Sequence, residues 1–335
     1  MIRKRLLVDE WVVIAPQRAD RPRQLEVGHS ACGDDFCPFC PENAEVTPPT
    51  IQSWDSPAFA GEPWAIRSIP NKFPALRIED NFDDTSPDGA PFYQSHGGLG
   101  AHEVIIEAPR HLIGWQELGA EHLGCILGAW QERMADLRQD RRLHCAIVFK
   151  NHGARAGATL AHIHSQLIAL PILPSRLQRE LDGARTYFKE HNSCTICDML
   201  DYERQNGERI VLENDQAVAV APYGSRTAFE IWIMPRDHSG DFLSAGPELL
   251  AGVAKLVDQI LPLWHKAIGD VAYNFVLHCL PFDLADEPYY HWHLELIPRT
   301  GQIAGFEWGS DIFINATPSE VAAHHLRNLA DLESP

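Results

Sequence analysis

The chain has 335 residues, 45% of them hydrophobic and 22% charged, with a formal charge of −18. That length suits two domains, each able to bury its own core. The acidic balance excludes a general nucleic-acid binder, which presents a basic face, and leaves any anionic ligand to local Arg, His and backbone N–H groups.

The N-terminus reads MIRKRLLV, with only three consecutive apolar residues before Asp9. That is too short for a signal peptide, and no apolar run approaches the roughly 20 residues of a membrane span. A cytoplasmic protein without a membrane partner is expected. Four of the eight cysteines form two C-x-x-C pairs, Cys37 with Cys40 and Cys194 with Cys197. Without an export signal, such pairs predict metal binding rather than disulfides.

Residues 42–64 and 80–100, rich in Pro, Asp, Ser and Gly, predict long loops. A strand at 104–106 is stopped by Pro109, and His111 follows. Leu118, Leu123, Leu127, Trp130 and Met134 recur at helical spacing and predict a helix over about 117–140. A buried strand at 145–150 leads into a glycine-bearing loop, 151–159, and then a strand at 162–169 that carries His162, His164 and Gln166. Residues 172–192, rich in Leu, Arg and Glu, predict a linking helix. The second half repeats the order: a strand at 229–234, His238, a helix over 248–268, a strand at 272–277, and a strand at 290–297 with His291 and His293. The shared succession predicts one unit used twice, each an α+β domain with an antiparallel sheet and a packed helix.

Two thiolates and two imidazoles make a tetrahedral zinc set. The expected ligands are Cys37, Cys40, His111 and His162, and then Cys194, Cys197, His238 and His291. Four protein ligands leave no open position for a bound water, so both Zn²⁺ sites are expected to be structural. In a strand, residues i and i+2 share a face, so His164 and Gln166 are expected beside His162. A neutral imidazole is a competent nucleophile toward phosphorus near pH 7. Gly153 and Gly157 allow backbone to approach a phosphate closely, and Arg155 lies between them. The second His-x-His strand lacks that loop and carries Glu295 where the first has Gln166. A carboxylate repels a transferring phosphate, so the second copy reads as scaffold.

These residues resemble the galactose-1-phosphate uridylyltransferase family of the histidine-triad superfamily, nearly end to end. The resemblance implies tandem histidine-triad-like domains: 1–171 catalytic, 172–192 a linker helix, and 193–335 the second domain. It implies His164 as nucleophile and Gln166 as a donor to the phosphate. It implies substrate contacts from Arg18, Arg21, Asn71, Phe73, Asn151, Gly157, Thr159, Phe306 and Glu307. Ile163 stands where the galactose enzymes carry proline, and Gly301-Gln-Ile-Ala stands where they carry a Lys-Phe pair. The second Cys pair is similar to a plant branch that acts on ADP-glucose with phosphate as acceptor. Better-known bacterial members instead build a second metal site at positions matching Glu180, His278, His291 and His293. The two sets share His291, and thiolates hold zinc more tightly, so the Cys set is expected.

The implied activity is UDP-glucose:hexose-1-phosphate uridylyl transfer, ping-pong through a nucleotidyl-histidine, with a nucleotide sugar and a sugar phosphate as partners. The alternatives are an ADP-glucose phosphorylase, with phosphate as acceptor, and a non-catalytic zinc-stabilised nucleotide-binding protein. The resemblance also implies a homodimer, because in the family a second subunit lends residues to the site.

Overall fold

Among the described residues thirteen short segments form strands that pair antiparallel, and the central ones, such as Ala101–Ile106 and His293–Pro298, are buried on both faces. The computed structural model describes residues 1–4, 11–15 and 36–332. The strands are β1 (Ile2–Lys4), β2 (Trp11–Val13), β3 (Gln52–Trp54), β4 (Ile66–Pro70), β5 (Ser95–His96), β6 (Ala101–Ile106), β7 (Cys145–His152) and β8 (His164–Leu170). They continue with β9 (Ile210–Glu213), β10 (Ala217–Val220), β11 (Ile231–Pro235), β12 (Tyr273–His278) and β13 (His293–Pro298). The helices are α1 (Ala120–Leu137), α2 (Ser175–His191), α3 (Thr195–Asn206), α4 (Pro247–Ile268), α5 (Gly305–Ser310) and α6 (Ser319–Asp331).

Ten strands form one sheet in the order β3-β4-β6-β8-β7-β12-β13-β11-β10-β9, and β2-β1-β5 form a small second sheet. The large sheet is palindromic. β6, β8 and β7 of the first half answer to β11, β13 and β12 of the second, and the halves join where β7 pairs with β12. Strand alternation then divides the sheet. Leu167, Val148, Phe275, Leu277, Leu294 and Leu296 enter the main apolar core. Trp130 of α1 donates to Ser165 Oγ on that face at 2.8 Å. α1 and α4 pack side by side there, with Gly124 of α1 facing Ala251 and Ala254 of α4. The opposite face carries one continuous row, Val104, Gln166, Phe149, Val276, Glu295 and Trp232.

Three expectations shift. The first-half helix starts at Ala120, because Gly119, at φ 75°, separates it from a 3-10 turn at Trp115–Glu117. The two His-x-His strands start at His164 and His293, so His162 and His291 lie just before the ladder and do not follow the two-residue rule of a strand. The loops expected at 42–64 and 80–100 contain β3 and β5. No helix among the described residues is long and apolar enough to cross a membrane.

Candidate active site and metal clusters

Each half gathers its Cys and His residues at one corner of the sheet. Cys37, Cys40, His111 and His162 offer donor atoms that all lie within 4.8 Å of one another, and so do Cys194, Cys197, His238 and His291. Cys37 Sγ lies 3.5 Å from His162 Nδ1, and Cys40 Sγ lies 3.5 Å from His111 Nδ1. Cys197 Sγ lies 3.4 Å from His238 Nδ1 and 3.6 Å from His291 Nδ1. Sulfur and nitrogen bound to one tetrahedral zinc stand roughly 3.5 Å apart, so the donors fit that ion.

The tautomers fit as well. His162 Nε2–H donates to Ala108 O at 2.9 Å, and His291 Nε2–H donates to Pro235 O at 3.2 Å. Each bond leaves the lone pair on Nδ1, facing the sulfurs. Burial pushes His162 down to about 4, which keeps the ring neutral. Burial and the adjacent Cys37 push the Cys40 thiol up to about 12, so that thiol ionises readily only beside a cation. The four sequence-predicted donors therefore come together in both halves. In the second half His291 joins the Cys set, while His278 Nδ1 pairs with Glu180 at 2.9 Å.

Beside the first cluster lies a cavity of about 410 Å³. Its walls include Phe39, Val46, Ile69 and Val104, with Asn71, Phe73, Thr159, His164 and Gln166 at its polar side. His164 Nδ1–H donates to His162 O at 2.8 Å. A carbonyl only accepts, so the ring's proton is on Nδ1 and its lone pair on Nε2. The Phe39 ring packs edge-on against His164 at 5.2 Å.

A residue not expected from the sequence orders the amide side of this cavity. Ala75 N–H donates to His102 Nδ1 at 3.0 Å, which leaves the ring proton on Nε2. That Nε2–H donates to Gln166 Oε1 at 3.0 Å, so the Gln166 NH₂ is turned away from His102. Asn71 lies beside the same ring, its amide oriented because Oδ1 accepts from Phe73 N–H at 2.9 Å. The only sequence signal for His102 is a polar side chain inside a buried strand.

The glycine loop forms a single 3-10 turn, Ala154–Ala156, bounded by Gly153 at φ 79° and Gly157 at φ 88°. Asn151 lies at the end of β7, and one further step of the β7–β8 register puts it opposite His164. Arg18 and Arg21 lie outside the described residues. Phe306 and Glu307 are not brought to the His164 cavity within this chain. Glu307 borders a separate cleft with Arg226, Arg299 and Asn315.

The equivalent place in the second half is filled. Trp232 stacks on His293 at 4.8 Å, where Val104 leaves space beside Gln166 in the first half. His278 stacks on the same ring at 4.7 Å. Glu295 accepts from Arg176 at 2.9 Å and from Arg226 at 2.7 Å. It also lies 3.1 Å from His278 Nε2, an ion-pair distance without hydrogen-bond alignment. Burial opposes charge on His278, but Glu180 and Glu295 outweigh it and hold the ring protonated up to about 9.

A palindromic antiparallel sheet with a Cys₂His₂ cluster in each half defines an α+β protein built from one repeated unit. A family model described as the N-terminal domain of galactose-1-phosphate uridyl transferase matches residues 2–174, and a domain of unknown function, DUF4921, matches residues 117–334. ADP-glucose phosphorylase of Arabidopsis thaliana is 31% identical, over 98% of this chain and 93% of that protein. Galactose-1-phosphate uridylyltransferase of Thermotoga maritima is 25% identical, over 96% of each. The crystal structure of the Arabidopsis ADP-glucose phosphorylase with bound ADP-glucose superposes with a TM-score of 0.76 at 30% identity, covering 98% of each chain. The chain belongs to the galactose-1-phosphate uridylyltransferase family.

Proposed function

We propose that the protein is a hexose-1-phosphate nucleotidyltransferase of the UDP-glucose:hexose-1-phosphate uridylyltransferase type, working through a covalent nucleotidyl-His164. The observation that carries this reading is the His164 tautomer. With Nδ1–H bound to a carbonyl, the ring's lone pair is on Nε2, so attack from that nitrogen needs no prior loss of a proton. That nitrogen attacks the α-phosphorus of a nucleoside diphosphate hexose. A P–N bond forms, and the bond from the α-phosphorus to the bridging oxygen breaks, releasing hexose 1-phosphate. A phosphate oxygen of the acceptor then attacks the same phosphorus and frees His164. Gln166 donates its NH₂ to a non-bridging oxygen as charge builds there. Asn71, Phe73 and Thr159 border the nucleotide's cavity, Asn151 and Gly157 belong to the phosphate end, and Arg18 and Arg21 neutralise phosphate charge.

Zinc at the two Cys₂His₂ clusters would fix the strand entrances and take no part in the transfer. Two equivalents of zinc are expected per chain, and Cys37→Ser should lower that to one in metal analysis. The free thiols among the described residues suit a reducing compartment, and we place the protein in the cytoplasm. We also propose a homodimer. Phe306, Trp308, Ile312 and Ile314 are each more than half exposed around Glu307, away from the His164 cavity. A second copy would cover that apolar surface and bring Phe306 and Glu307 to its partner's substrate.

A second reading is adenylyl transfer from ADP-glucose to phosphate, favoured by the 31% identical relative of that activity. UDP-glucose and ADP-glucose, each offered with galactose 1-phosphate or inorganic phosphate, separate the two. The first reading expects turnover with the uridine donor and the sugar phosphate. Turnover confined to ADP-glucose with phosphate would replace it with the second. No turnover and no covalent label with any donor would leave a binding protein.

A further inference from the structure

In the second half His293 is stacked between Trp232 and His278, yet the strand β12 of that half reaches the first half's glycine loop. In the β7–β12 pair Asn274 stands directly opposite Asn151, and one step beyond the Lys150–Ser165 pair the β7–β8 register brings Asn151 opposite His164. The three side chains thus lie in a row on one sheet face. Asn274 Nδ2 donates to two oxygens, Ala156 O at 2.9 Å and Asn151 Oδ1 at 2.6 Å. Its Oδ1 accepts from Arg299 Nε. A backbone carbonyl can only accept and a guanidinium can only donate, so the Asn274 amide has one possible orientation. Its neighbour is then fixed in turn. Asn151 must show Oδ1 to Asn274 and turn its NH₂ the other way. That NH₂ lies toward Gly157, where an added Cβ would sit 3.8 Å from Nδ2. Asn274 is 6% exposed, so water does not replace these bonds cheaply. The residue just before β12 holds the loop's other end, since any Cβ on Gly153 would meet Ala272 at 2.9 Å.

We infer that Asn274 and Arg299, both from the second half, are positioning residues that aim the Asn151 NH₂ at the substrate phosphate beside His164. The inference rests on the reading of His164 as nucleophile and of Asn151 as a phosphate contact. It gives the second half a part in transfer beyond support. Loss of the Asn274 donor frees Asn151 to rotate and present Oδ1, a lone-pair atom, to an anion.

The test is a double-mutant cycle read as the single-turnover rate of covalent labelling from a nucleotide sugar radiolabelled in the α-phosphate. Asn274→Asp keeps the size and removes the donor, and Asn274→Ser is a milder second variant. Zinc content and thermal melting report the fold of each. With Asn151 intact, both variants should slow labelling by about tenfold or more. In an Asn151→Ala background the same changes should cost less than about twofold, because their route to the substrate is gone. Additive losses in the two backgrounds would overturn the inference while leaving His164 as nucleophile. An Asn151→Ala enzyme that labels at the parental rate would remove the phosphate contact, and the inference with it. Absence of label in the parent protein would instead reject the functional reading beneath both.

Discussion

Gln166 and Glu295 hold equivalent places in two related strands and differ in one functional group. The amide can give N–H to a phosphate oxygen, whereas the carboxylate has only lone pairs and is claimed by Arg176, Arg226 and His278. The residues around them follow the same division. Val104 leaves space over Gln166, while Trp232 fills it over Glu295 and His293. Gln166→Glu places the second half's chemistry in the first half's cavity. It should slow formation of the nucleotidyl-enzyme by about 10²-fold or more, since it removes a donor and adds a like charge. Single-turnover labelling measures this, with zinc content as the control. A rate within about twofold of the parent would show that Gln166 gives nothing to the transferring phosphate.

At the scale of elements, the strand that carries His164 is braced from behind by a buried ion pair. Lys150 of β7 donates to Glu107 and, at 3.2 Å, to His164 O. Trp115 Nε1 donates to the same carboxylate at 2.6 Å. Glu107 is wholly buried, so Lys150→Met strands a charge and should destabilise the fold by roughly 3–5 kcal/mol in denaturant titration. Adding Glu107→Gln should recover at least half of that loss. If the double variant is no better than Lys150→Met alone, the stranded carboxylate is not the cause. Elements of this kind were partly legible in the sequence. The repeated order of Cys, His, helix and His-x-His marked both clusters, because metal ligands need fixed residue types. The periodicity located α1 and α4 closely. β8 and β13 start at His164 and His293, later than the pattern predicts, because His162 and His291 look like strand residues but turn aside to the sulfurs. Nothing in the repeat marks His102, because its counterpart in the second half of the chain is no histidine. The β7–β12 pairing that orients Asn151 links strands far apart in the chain, and local pattern carries no record of it.

At the scale of the whole molecule, one ten-stranded sheet carries two related halves; the first has an open cavity beside its His-x-His strand, and in the second Trp232 and His278 stack on His293. Phe306 and Glu307 lie apart from that cavity. If a second copy supplies them, His164→Asn and Glu307→Ala lie in different subunits of each working site. Mixing the two variants under subunit exchange should restore transfer to about a quarter of the parental activity, by chance pairing. No recovery, with exchange verified by mass, would place both residues in one chain's site. The central claim is the covalent step itself. Incubating the zinc-loaded protein with UDP-glucose or ADP-glucose, without acceptor, and recording its intact mass tests it most directly. The account predicts an added nucleoside monophosphate, mapped to His164 by peptide fragmentation, lost on addition of acceptor and absent from a His164→Asn protein that retains its zinc. Turnover without any such adduct, or an adduct that persists in His164→Asn, would contradict it.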